Sequence, residues 1–304
     1  MTTLSAIGTS EDLVEDARQA ARAAADSSGI TIRLLHQVEE FSEVVALFAR
    51  IWTSDVTQGP VNTETLRAIS KAGSYLAGAF DGDKLVGAGM GFFAAPSQQA
   101  LHSHIAGVDG RMRGRNVGFA IKAHQRAWAL GEGIHEISWT FDPLISRNAH
   151  FNLVKLGARA SKYHRNYYGQ MSDVLNGGDD TDRLLVRWDL LSASVAAACH
   201  GKPATLESSA HRADDAQTLL EPSAHDEPTV RKTDAALVLV RLPNDIEALR
   251  RSRPETASRW RSALRDSLGA LMDDGGRVLG FDSSRRYVID TQAPYRPPVV
   301  SEAC

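Results

Sequence analysis

The chain has 304 residues, 43% of them hydrophobic and 23% charged, with a formal net charge of −3, the balance of a globular protein with room for one large domain or two modest ones. No basic excess appears beyond Arg111, Arg113 and Arg115, and no run approaches the roughly eighteen apolar residues of a membrane span, so neither nucleic acid nor membrane is expected as a partner. Cys199 and Cys304 form no disulfide framework, and residues 1–28 lack an apolar signal-peptide core, so a cytoplasmic location is expected.

Residues 1–29 are rich in Ala, Asp and Ser and read as a flexible extension. Ordered structure is predicted to begin with a strand at 30–35. A helix follows at 40–52, with Phe41, Val44, Val45, Phe48 and Trp52 on one stripe, and another at 63–71, started by Asn62. Strands at 74–80 and 84–90 flank the turn Asp81-Gly82-Asp83 as a hairpin. A strand at 101–108 leads through an Arg- and Gly-rich turn into a helix at 116–130, ended by Gly131 and Gly133. A strand at 134–141, a helix at 146–156, strand character at 158–168 and a closing strand at 184–190 complete a first domain at 30–192. Its predicted class is α/β of the α+β type, a mixed, mostly antiparallel sheet flanked by helices.

Residues 193–233 lack periodicity and read as a linker. A small αβ subdomain is expected at 234–292, docked on the first domain, with a tail at 293–304. Its strand at 235–242, helix at 254–273 and hairpin at 277–281 and 287–290 echo the β-α-α-β-β opening of the first domain.

The most informative unit is the turn Arg113-Gly114-Arg115-Asn116-Val117-Gly118. A helix start leaves its first N–H groups unpaired, and the peptide dipoles favour an anion there. Glycines admit close approach of a phosphate, and the arginines add charge. The geometry suits a pyrophosphate; an ordinary Gly-rich turn is the alternative. No Walker A loop occurs, and Gly87, Gly89 and Gly91 alternate within a hairpin strand, which points to close backbone packing and not to a dinucleotide fingerprint.

At these residues the sequence resembles the GNAT acyltransferases. Arg113 to Gly118 match the family's R/Q-x-x-G-x-G/A signature, with Asn116 where Gly is usual, and Arg147-Asn148-Ala149 and Lys155-Leu156-Gly157-Ala158 match further downstream. The resemblance implies a GNAT fold and acyl-CoA, acetyl or succinyl, as co-substrate. It implies a CoA pyrophosphate held by the N–H groups of Arg113, Gly114, Arg115, Asn116, Val117 and Gly118, a pantetheine arm paired to the strand ending at Val108, and a slot where strands ending at Val108 and Phe141 splay. His102-Ser103-His104, Trp139 to Leu144, Ser146 to Asn152, Tyr168-Gly169, Met171-Ser172-Asp173 and Leu239 to Pro243 resemble a narrower bacterial group of predicted acetyltransferases, some similar to amino acid N-succinyltransferases.

Attack on a thioester needs a neutral amine, so a base or water must take a proton. His102 and His104 lie two apart on a strand and face one side. His104, nearer the splay, is the first candidate base, against a plain polar sheet face; no third ligand accompanies the pair, so no metal is expected. Asp142 can receive the proton or hold the ammonium, or simply make a turn. Asn148, set beside the cofactor by the resemblance, also reads as a helix cap. Trp139 is a candidate substrate wall, and Arg147 a partner for a substrate carboxylate. Many GNAT enzymes place a Tyr acid where this chain has Leu153, which leaves Tyr163, Tyr167 and Tyr168 as substitutes, Tyr168 foremost. The function expected is acyl transfer to the amine of an amino acid or related small metabolite, and a homodimer is compatible. Hydrolysis or decarboxylation of an acyl-CoA, and a non-catalytic CoA sensor, are the rivals.

Overall fold

The structure is a computed structural model that describes residues 10–52, 59–169, 179–204 and 216–292. The Met171-Ser172-Asp173 stretch and the 293–304 tail lie outside these residues. The chain divides into two compact units, residues 1–137 with 189–200 and residues 138–188 with 201–304, so the division cuts through the predicted first domain. Among the described residues no helix is long and apolar enough to cross a membrane.

In the first unit, β1 (Thr31–Leu34), β2 (Leu76–Asp81), β3 (Lys84–Phe93) and β4 (Ala100–Val108) lie in that order, each antiparallel to the next. The helices α2 (Val38–Trp52) and α3 (Thr63–Lys71) bury Phe41, Val44, Leu47, Phe48 and Leu66 with Leu76, Ala88 and Met90 of the sheet. The helix α4 (Val117–Gly131) packs on the sheet through Ile121, and a Cβ on Gly87 or Gly89 would stand 3.0 or 2.9 Å from its methyl groups. Those two glycines are therefore a close-packing device, as their alternation suggested.

The predicted flexible extension contains the helix α1 (Ser10–Ser27). Its apolar stripe is made of Ala17, Ala20, Ala21 and Ala24, all buried, and it packs on α4. Small side chains carry a weak hydrophobic signal, yet they let two helices approach closely. The Arg115 guanidinium then ties the end of α1 down, donating to the carbonyls of Ser28 and Gly29.

In the second unit, β5 (Glu136–Phe141, begun in the first unit), β7 (Arg183–Asp189) and β6 (Arg159–His164) lie in the order β5-β7-β6. The helix predicted at 146–156 forms as α5 (Ser146–Ala149), followed by π-type turns at His150–Lys155. The residues read as a linker contain α6 (Ala193–Cys199), which belongs to the first unit, and β8 (Gln217–Pro222) and β9 (Pro228–Val230) of the second. These two strands join β10 (Leu237–Arg241), β11 (Arg277–Phe281) and β12 (Arg286–Asp290) in a sheet ordered β11-β12-β10-β8-β9. The β10–β8 pair is parallel and non-local, which is why local pattern did not reveal it. The echo of the opening stops at element order: β1 pairs with β2, the first strand after its helices, whereas β10 pairs with β12, the second. Besides α5, the described helices of the unit include α7 (Ile246–Ser252), α8 (Pro254–Leu264) and α9 (Ala270–Asp273), and Trp260 and Leu264 are fully buried.

Candidate functional site

The turn before α4 is built by backbone conformations that few residues tolerate. Gly114 has φ +86°, and Asn116, at the helix N-cap, has φ +59° and ψ +17°. Asn is the side chain that best tolerates this left-handed region after Gly, which explains its presence where the resembled signature has Gly. The N–H of Arg113 donates to the Gly110 carbonyl and that of Arg115 to the Met112 carbonyl, so these two are committed within the turn. Among the described residues, the N–H groups of Gly114, Val117 and Gly118 have no protein acceptor, as a helix start requires. A Cβ at Gly114 would meet nothing within 4 Å, and one at Gly118 only a Val108 methyl at 3.8 Å. The space above the turn is open to an anion.

The three arginines divide. Arg111 is paired with Asp109, whose side chain also accepts from the Arg111 N–H. Arg115 is engaged by Asp81 at 2.9 Å as well as by the end of α1, so its side chain is held within the fold. Arg113 is exposed and has no ion pair among the described residues. Among the described residues Arg113 is therefore the one of the three left without an ion pair.

Strand β4 carries the histidines. Its register against β3 runs Met90↔Ile105 and then Gly91↔Ser103, which leaves His104 as an extra, bulged residue. Such a bulge re-aims a side chain and recurs beside active sites. Here His104 and Ile105 both lie toward α2 and α3. His104 lines a cavity of about 500 Å³ with Val45 of α2, residues 59–65 and Ile69 at α3, and Met90 and Phe92 of β3. Phe92 stacks at 5.2 Å from His102 and 5.7 Å from His104. Burial lowers the pKa of both histidines below the usual 6.5, and for His102 the charges of His104 and Lys122 add to the effect. Both are neutral at pH 7, able to accept a proton.

Beneath the strand lies a group that sequence reading passed over. Lys122 of α4 is fully buried, donates to Ser103 Oγ at 3.1 Å and Gln125 Oε1 at 2.8 Å, and is pushed down to about 7 by burial. The signal was a lysine beside Ile121 inside an apolar helix. Val108 closes the β3–β4 ladder opposite Gly87.

The second unit corrects several expectations. Asp142 is buried in an ion cluster: it accepts from Arg250 at 2.6 Å and from Arg261 at 2.9 Å on both oxygens, and its Oδ1 also accepts from the Leu144 N–H. Burial alone would raise its pKa, but the two guanidinium charges win and hold it well below the carboxylate range. Asp179 shares both arginines at longer range, and burial drives it the other way. A carboxylate so engaged neither accepts a catalytic proton at neutral pH nor has room for an ammonium. Trp139 is core and not a substrate wall: its indole donates to Asn152 Oδ1 and packs edge-on to Trp188. Arg147 forms a two-pronged pair with Glu247. Asn148 sits inside α5, whose N-cap is Ile145, so it is not the cap. Tyr163 is closed off against Asp182, whereas Tyr168 is exposed, with its hydroxyl 3.3 Å from Thr140 Oγ1 and Arg183 over its ring.

No family model matches the chain, and no curated protein matches it. Solved structures do resemble it. The ribosomal-protein-S18-alanine N-acetyltransferase from Escherichia coli has a TM-score of 0.44 at 13% identity, over 54% of this chain and 96% of that one. An N-acetyltransferase from Staphylococcus aureus gives 0.44 at 15%, over 53% and 98%. An acetyltransferase of the GNAT family from Streptococcus pneumoniae gives 0.43 at 17%, over 52% and 97%. Likeness at this level assigns no activity to this chain.

Proposed function

We propose that the protein is an acyl-CoA-dependent N-acyltransferase of the GNAT type, acting on a small-molecule amine. The observation that carries this reading is the pairing of an open phosphate-type turn with a bulged, neutral histidine on the strand that feeds it. The N–H groups of Gly114, Val117 and Gly118, with the Arg113 side chain, are suited to a CoA pyrophosphate. Acyl-CoA, acetyl or succinyl, supplies the activated carbonyl. His104 takes the proton from the attacking amine, a task for which an imidazole neutral at pH 7 is fitted. The thiolate is a good leaving group with an ordinary pKa of about 8.5, so the departing sulfur can draw its proton from water.

The test is thiol release followed with acetyl- and succinyl-CoA, with and without a panel of amines. Release that depends on an added amine, with the N-acyl product seen by mass spectrometry, is expected. Release at the same rate without amine points to hydrolysis, and tight CoA binding with no release in any mixture points to a sensor; either result overturns the proposal.

A further inference from the structure

The described lining of the cavity beside His104 sorts by chemistry. Val45, Val61, Ile69, Met90 and Phe92 form an apolar wall, and Asn62, Thr63 and Thr65 bring neutral polar groups. With His104 neutral, Glu64 is the one formally charged side chain in that described lining. It stands in the first turn of α3, exposed, with no ion pair among the described residues. The positive end of α3 is already answered, because Asn62 Oδ1 accepts from the Thr65 N–H and Glu64 supplies an anion in the same turn. Within this described lining the cavity offers a carboxylate and an apolar wall, and no cation.

We propose that the acceptor is a primary amine with an alkyl or aryl-alkyl body and no carboxylate beside the amine, and that Glu64 is the residue that selects it over the corresponding amino acid. The inference rests on the acyl-transfer reading for its reaction, though not for its binding preference. An incoming ammonium is drawn by Glu64, while its apolar body replaces water along the wall. The parent amino acid brings a second carboxylate toward Glu64 with no described cation to answer it, and like charges brought together are disfavoured. In the reaction the neutral amine forms a C–N bond to the acyl carbon as the C–S bond breaks. The bound ammonium first gives one proton to bulk water; the second passes to His104 as the C–N bond forms and on to solvent, and CoA leaves as the thiolate and takes a proton from water. Amine and acyl-CoA give amide and free thiol, with no further reactant.

Phenethylamine and phenylalanine share a body and differ by the carboxylate. Their affinities for the full chain, measured by calorimetry or NMR titration at pH 7 without acyl-CoA, test the preference apart from turnover. Phenethylamine is expected to bind about five- to tenfold more tightly, the scale of a partly solvated ion pair with removal of a like charge. Glu64→Gln should bring the two together, and Glu64→Lys should reverse the order; Glu64 is exposed, so both variants fold. Equal affinities in the wild type, no binding of phenethylamine at millimolar concentration, or a preference unchanged in Glu64→Gln overturns the inference. If the preference is found but no amine is acylated, the binding inference stands and the acyl-transfer reading falls.

Discussion

Two regions concentrate charge, and they treat it in opposite ways. Around Asp142 in the second unit, a carboxylate and the guanidinium groups of Arg250 and Arg261 are buried against one another, both guanidinium groups donating to the carboxylate oxygens. At the start of α4 in the first unit, Arg113 is exposed and three backbone N–H groups have no protein acceptor among the described residues. The first arrangement pairs its charges within the fold, and the second leaves donors available to an anion. Charge engaged within the fold holds structure, and charge left open is where chemistry is available.

Asp142→Asn bears on the closed region and carries the largest expected effect. Removing one partner of a buried ion cluster costs about 3–5 kcal/mol, because the guanidinium charges remain. The folded carboxyl lies below the roughly 3.9 of a free Asp, so its stabilisation is full above that pH and fades as pH falls through it toward the folded value. Urea unfolding of wild type and variant should differ widely at pH 7 and converge on acidification; an equal gap at pH 7 and pH 3 would break the closed side of the comparison.

His104→Gln sharpens the open side. Turnover should drop by roughly 10²-fold with CoA affinity kept, within the usual range for a lost general base. The wild-type rate should fall off on the acid side below pH 6.5, since burial lowers the histidine pKa, and the variant should lack that limb. Wild-type turnover with an unchanged pH profile would place His104 in the sheet's packing alone.

The smallest effects separate two arginines. Arg113→Ala should weaken CoA binding about three- to fivefold, with a loss that shrinks at high salt, as an exposed charge contact does. Arg147→Ala should leave CoA affinity untouched, because Glu247 already holds that side chain. Equal losses in both would blur the distinction between open and closed charge.

The sequence reading succeeded where a local constraint dictates residue type. The turn before α4 needs left-handed backbone at Gly114 and Asn116, and the α2 stripe needs apolar side chains at helical spacing, so both were legible. It failed where partners are remote or small. Asp142 read as a catalytic group because Arg250 and Arg261 lie 108 and 119 residues away in the chain. The α1 helix buries only alanines, and β8 depends on a parallel partner beyond local pattern. The bulge at His104 is a slip of register, invisible in the alternation of a single strand, and Glu64 looked like any acid in a first helical turn.

The central claim is that the open turn before α4 receives the CoA pyrophosphate, and Gly118→Val tests it most directly. A Cβ at Gly118 has ordinary room and its backbone needs no positive φ, so the variant should fold as wild type does; Gly114→Val would add strain of its own. Calorimetric titration of CoA should give measurable binding to the wild type and affinity about tenfold weaker or worse in Gly118→Val, with an unchanged melting temperature. Unaltered CoA affinity in a folded Gly118→Val protein would contradict the assignment.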